Sequence, residues 1–189
     1  PSFPTRRSSD LYGCGFVFDA SGPAIFPSND ITAVSILGYL GSKISSIILQ
    51  ALNSTLHVQA GNISSLPWVS NDLSSHPGTI VSSLINLSSK DWDSFETSWD
   101  FDGLPILLDS LKGITIEKSF SKWEKQSKSN IFKMKKLEEE NNQIFIDSYG
   151  LQDELTPDVP DEEITLFANP KYRYGGKLTE EDQWTRFRQ

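Results

Sequence analysis

Lys118, Lys122, Lys125, Lys133 and Lys136 fall on one side of a helical wheel in a chain whose formal net charge is −8. A row of ammonium groups at that spacing can neutralise the phosphates of a nucleic acid, giving affinity without sequence reading. A solvated helix face, with Lys stems lying over apolar surface, has the same pattern. Asn169-Pro170-Lys171-Tyr172 follows an apolar run, as does the Asn-Pro-Pro-aromatic loop that holds an extruded base by its exocyclic amine. Lys stands at the third position and no nucleotide-binding fold precedes it, so it reads as an ordinary turn. Gly13-Cys14-Gly15 lies before an apolar stretch rather than after one, the wrong order for a cofactor-binding turn. His57 and His76 have no Cys or carboxylate at metal-ligand spacing and read as loop or surface residues. The carboxylates 138–140 and 161–163 come in runs, which mark solvated faces, and no Gly-x-Ser-x-Gly elbow occurs. The residues therefore supply no catalytic, cofactor-binding or metal site.

The elements that must position the lysines follow from periodicity. Residues 116–148 predict one long helix of about 50 Å at 1.5 Å per residue. Ile116, Phe120, Trp123, Ile131, Met134, Leu137 and Phe145 cluster opposite the lysines. Gly150 is its C-cap candidate, and Pro157 and Pro160 bar continuation. Upstream, Phe16–Phe18 and Ala24–Phe26, divided by Gly22-Pro23, predict two short edge strands. Residues 30–52 predict one helix capped by Asp30 or Asn29, with Val34, Leu37, Ile44, Ile47, Ile48 and Ala51 at helical spacing and Asn53 as its stop. A loop with an extended piece at 56–59 covers 53–72. Short helices are expected at 78–88 and 91–99, the second carrying Trp92, Phe95 and Trp99 as a docking stripe. Ile164–Phe167 predicts a strand, 169–176 a loop, and Glu180 onwards a further helix. The fold class expected is α+β, predominantly helical.

Composition sets bounds. The chain has 189 residues, 37% of them hydrophobic, 11% aromatic and 22% charged, enough apolar material for a modest core and too little charge for a disordered tail. A single cysteine, Cys14, permits no disulfide within the chain and fits a reduced, cytoplasmic setting. No apolar run approaches the ~20 residues of a membrane span. Residues 1–12 read as a non-native leader, and neither end reads as a natural terminus.

Four stretches carry a family resemblance. The first is Ile36–Lys43 with Leu52–Pro67, closing on Gly61-Asn62-Ile63-Ser64-Ser65-Leu66-Pro67. The second is Ser89–Phe101, Ser-Lys-Asp-Trp-Asp-Ser-Phe-Glu-Thr-Ser-Trp-Asp-Phe. The third is Asn141–Pro157, and the fourth Asn169–Leu178. In order and spacing they resemble the BREX-type adenine-specific DNA methyltransferases, the PglX family, over about residues 13–189. Ser54 and Asn62 depart from that pattern, which usually has Pro and Asp there.

The resemblance implies an internal or C-terminal-side fragment of a cytoplasmic phage-defence enzyme. Such an enzyme methylates adenine in double-stranded DNA from S-adenosylmethionine, alongside other BREX proteins. Residues 13–72 would end a target-recognition domain. Residues 73–150 would be a helical connector, and 151–189 a loop, a short strand and the start of a further helix. No catalytic or cofactor residue of the family maps onto this sequence. The fragment is expected to be inactive alone, with Lys118, Lys122, Lys125 and Lys136 as its DNA-contact candidates. A DNA-specificity subunit of a type I restriction-modification system, which only binds, is the alternative. A helical adaptor using the Trp92, Phe95, Trp99 stripe is a third reading.

Overall fold

The computed structural model describes residues 23–27, 30–53, 58–69, 76–108, 110–175 and 178–187. Their α-helices are α1 (Asp30–Leu40), α2 (Lys43–Leu52), α3 (Ala60–Ser64), α4 (His76–Trp92), α5 (Ile116–Tyr149), α6 (Pro170–Tyr174) and α7 (Glu180–Phe187). Short 3-10 turns lie at Pro105–Leu107 and Asp161–Glu163. These residues divide into two compact units. One comprises Ser83–Leu137 and Val159–Gln189; the other comprises the described residues up to Ser82 with Glu138–Asp158. No single described helix is long and apolar enough to cross a membrane.

The long helix forms as its periodicity predicts, 34 residues ending at Tyr149. Gly150 follows with φ 68°, a left-handed conformation that a side chain would strain. The Leu151 N–H returns to the Ile146 carbonyl at 3.0 Å and closes the last turn.

The described residues are predominantly helical, as expected, and contain no strand, so the α+β part of the expectation is not met among them and the strand expected at Ile164–Phe167 is corrected. Ile164–Phe167 has strand-like side chains, but its backbone groups are engaged by side chains. The Asn169 amide donates to the carbonyls of Asp161 (2.8 Å) and Ile164 (2.9 Å). The Asp91 carboxylate accepts the N–H groups of Phe167 and Ala168. A sheet ladder has little left to bond there. Ala24–Phe26 is irregular, while Phe16–Phe18, Cys14 and His57 lie outside the described residues.

Four other boundaries differ. The helix expected over 30–52 breaks at Gly41-Ser42, with a bend of 67° between α1 and α2. Ser42 is extended and caps α2, its hydroxyl donating to the Tyr39 carbonyl at 2.7 Å and accepting from the Ser45 N–H. Such local bonding competes with helix continuation. The expected loop over 53–72 contains α3. The Asn62 side-chain oxygen accepts the Gln59 N–H at 2.8 Å, a bond that Asp at 62 would also make. The helices expected at 78–88 and 91–99 are one helix, α4, ending at Trp92. Beyond it the Asp93 carboxylate accepts the hydroxyls of Ser89 (3.0 Å) and Ser98 (2.7 Å), and 93–99 turns instead of coiling. The loop expected at 169–176 contains α6, with Pro170 at its first position and Asn169 as N-cap.

Each unit has its own core. Tyr39, Ile44, Phe145 and Ile146 bury one, with Leu66, Tyr149 and Leu155 against it. Met134, Val159, Ile164 and Leu166 bury the other, with Leu84, Leu87 and Ile131 at its edge.

Candidate nucleic-acid interface

The lysines of α5 sort into two sets. Lys118, Lys122, Lys125, Lys133 and Lys136 are all exposed. Across the helix Ser119, Ser127 and Met134 are buried, so the lysine row is the outward face of that stretch. Lys122 Nζ donates to the Lys112 carbonyl at 2.8 Å, which fastens the preceding loop to the helix. The second set is engaged by neighbours in the same unit. Lys128 lies 3.2 Å from Glu124, 4.0 Å from Glu180 and 4.8 Å from the Trp184 ring centroid. Lys135 and Lys171 both reach the Asp161 carboxylate, at 2.8 and 2.7 Å. Hydrogen bonds from Lys135 and then Lys171 hold that carboxyl below its usual range, and the same contact raises Lys171. These pairs are partly exposed and contribute little stability. They do remove two cations from the side of the helix, leaving the five-lysine row as its basic surface.

The four resemblance-bearing stretches meet in pairs. In the Ser83–Leu137 unit the second meets the turn just before the fourth, and Arg173 of the fourth lies over Phe95. Asp91, at the end of α4, receives the Phe167 N–H and, at 3.1 Å, the Ala168 N–H. Burial pushes its carboxyl up to about 6, against those two N–H groups and the charge of Arg173, which pull it down. Trp92 and Phe95 each place a ring 5.2 Å from Phe167. The Arg173 guanidinium lies 5.4–6.0 Å from the rings of Phe95, Phe167, Tyr174 and Phe187. A raised carboxyl is a candidate acid or base wherever it faces a cleft. Here both oxygens are engaged by backbone N–H groups, which makes Asp91 a clamp on the 167–168 turn. The aromatic stripe is split by the same geometry: Trp92 and Phe95 pack on Phe167, whereas Trp99 is 85% exposed on the turn beyond.

Asn169 is 1% exposed. Its oxygen caps Lys171 N at 3.1 Å and its amide makes the two carbonyl bonds given above. The Asn-Pro-Lys-Tyr stretch is thus built into its own unit, and its amide faces no open surface.

In the other unit the first stretch meets the third. Asn141 donates to the Gly38 carbonyl at 3.0 Å. Asn142 accepts the Lys43 N–H at 2.9 Å and donates to the Pro157 carbonyl at 3.0 Å. Lys43 Nζ reaches the carbonyls of Thr156 and Asp158 at 2.9 and 3.4 Å. Tyr39 and Tyr149 stack at 5.9 Å, and both hydroxyls donate to the Pro67 carbonyl. Burial, then the Tyr149 contact, raises the Tyr39 phenol above its ordinary range. Sequence reasoning passed over Asn141, Asn142 and Arg173. The signal for the asparagines was their place on the inward side of α5 between Leu137 and Phe145.

Among the described residues no group of three or more His, Cys, Asp or Glu is gathered as for a metal ion. The Asn169 amide, already bonded to two backbone carbonyls, is not free to hold a base.

No protein-family model matches the chain. Over 156 residues, 80% of its length, it is 36% identical to the adenine-specific methyltransferase PglX of Lacticaseibacillus casei (strain Zhang). Over 176 residues, 92% of its length, it is 28% identical to the adenine-specific methyltransferase BrxX of Escherichia coli O9:H4 (strain HS). The chain spans 13% and 14% of those relatives' lengths.

Proposed function

We propose, from the premise that this chain is a relative of the PglX family of adenine-specific methyltransferases, that it is a recognition and spacing segment of such an enzyme. The parent enzyme transfers a methyl group from S-adenosylmethionine to adenine in double-stranded DNA. It acts in the cytoplasm in BREX phage defence, beside other BREX proteins, and marks host DNA as self. Residues 13–72 end its target-recognition domain. Residues 73–150 form the helical connector, whose lysine row tracks the phosphate backbone. Residues 151–189 lead on towards a further helix. The catalytic and cofactor loops lie in other parts of the parent, so no chemical step is assigned to this chain.

The observation that carries this reading is the 36% identity extending over 80% of the chain to a protein named for that activity. The bonds made by the resemblance-bearing stretches support a structural role for them, because Asn141 holds the Gly38 carbonyl and Asp91 holds the 167–168 turn.

The test uses the intact parent enzyme with Lys118, Lys122, Lys125 and Lys136 changed to Gln. Labelled methyl transfer to duplex DNA is followed against salt. KM for DNA is expected to rise roughly tenfold or more near physiological salt, with kcat retained. An unchanged KM removes the lysine row from DNA recognition. No transfer to adenine by the unaltered parent removes the enzyme reading itself.

A further inference from the structure

We infer that Phe132 is the base-contacting residue of the lysine face, its ring meeting nucleobase while the surrounding ammonium groups hold phosphate. The inference rests on the DNA-binding role proposed for that face. Other rings of α5 have partners. Phe120 lies 5.4 Å from Trp123, which stacks on Phe187 at 5.3 Å. Phe145 is in one core and Tyr149 stacks on Tyr39. Phe132 is 65% exposed. At this level of the helix the core is filled by Ile131 and Met134, packed with Val159, Ile164 and Leu166. Phe132 therefore has no packing duty that its size would explain.

Its place in the sequence puts it in the basic row. Lys125 precedes it by seven residues and Lys136 follows by four, both helical repeats on one face, and Lys133 adjoins it. An exposed ring costs free energy in water. Flanked by Lys125, Lys133 and Lys136, with Glu139 seven residues on, it suits a ligand that is polyanionic and also offers flat apolar surface. Nucleic acid has both, with phosphates outside and bases within reach. A membrane surface would need a broad apolar helix face, and in this stretch that face is packed inside its own unit.

Fluorescence anisotropy of the full chain tests this with a labelled short duplex and its single strand across a salt series. Phe132→Ala is expected to weaken binding roughly five- to tenfold at each salt concentration and leave the salt slope unchanged, because every ammonium–phosphate pair is kept. Phe132→Tyr should restore affinity. A greater loss on the single strand assigns the ring to the face of an unpaired base. A greater loss on the duplex assigns it to base edges in a groove. Unchanged affinity, or an altered slope, overturns the inference. So does a loss seen only with anionic phospholipid vesicles. If Phe132→Ala is inert while the four-lysine variant flattens the slope, only this inference fails. If the unaltered chain binds no DNA, the proposed role of the face fails with it. The exposure of Phe132 predicts an unchanged melting temperature, which circular dichroism checks.

Discussion

In the unit containing Glu138–Asp158 the long helix is fastened by neutral amides. Asn141 and Asn142 reach Gly38, Lys43 and Pro157, and Gly38 lies so close that an added Cβ would stand 2.8 Å from Val81 Cγ2. In the Ser83–Leu137 unit a buried carboxylate, Asp91, ties the end of α4 to the 167–168 turn through two backbone N–H groups, beside a guanidinium near four rings. The amide joint does not titrate and is limited by steric fit. The carboxylate joint depends on proton activity, because burial pushes Asp91 up to about 6. The two joints, one on the long helix and one on α4, should respond to different perturbations.

Four changes break or sharpen this contrast. The largest effect is expected from Phe145→Ala. That ring is fully buried, and its removal should cost about 3–5 kcal/mol of stability in its unit. Hydrogen exchange should report it around Tyr39 and Ile44, with little change around Met134 and Leu166.

Asp91→Ala comes next, at about 1–3 kcal/mol for two orphaned N–H groups. Its distinguishing mark is pH dependence. A carboxyl raised to about 6 in the folded state favours the protonated form. Its contribution is then most favourable below the unfolded value near 4 and declines as pH rises through about 6. Urea unfolding at pH 5 and pH 8 should therefore show a larger cost for the variant at pH 5. Tryptophan emission suits this measurement, because Trp92, Trp99, Trp123 and Trp184 belong to this unit and Trp68 to the other. Equal costs at both pH values would show that the clamp is not set by its burial.

Gly38→Ala should cost about 1–2 kcal/mol, through the contact with Val81 and the one at 3.1 Å with Asn141 Oδ1, and should show no such pH dependence. Asp161→Asn is the smallest, under about 1 kcal/mol, since its pairs with Lys135 and Lys171 are partly exposed. Its sign is opposite to that of Asp91. A lowered carboxyl contributes stability above the unfolded value and loses it as pH falls. Chemical denaturation at pH 3.5 and pH 7 should show a smaller deficit for the variant at pH 3.5 than at pH 7.

The long helix was legible in the sequence because seven apolar residues and five lysines held opposite faces over many turns, a signal stronger than any local bond. The outward placing of Lys118, Lys122, Lys125, Lys133 and Lys136 was legible for the same reason. The 41–42 break was hidden because Gly41 and Ser42 looked like tolerable small residues, whereas Ser42 acts through its hydroxyl. Ile164–Phe167 looked like a strand by side-chain type, but Asp91 and Asn169 lie 73 and five residues from Ile164 and take its segment's backbone bonds. Bonds of that kind have no local pattern. The Asp91 clamp and the Asn141–Gly38 bond were illegible on the same ground, although the stretches containing them carried the family resemblance.

The lysine face is where the proposed role is most directly exposed to test. Anisotropy of the chain with duplex DNA should give log affinity falling linearly with log salt. With Lys118, Lys122, Lys125 and Lys136 changed to Gln, the slope should be shallower by roughly three to four, close to one unit for each phosphate no longer neutralised. An equal slope in a variant that keeps its helix content would contradict that role and leave the row a solvated face of a spacer.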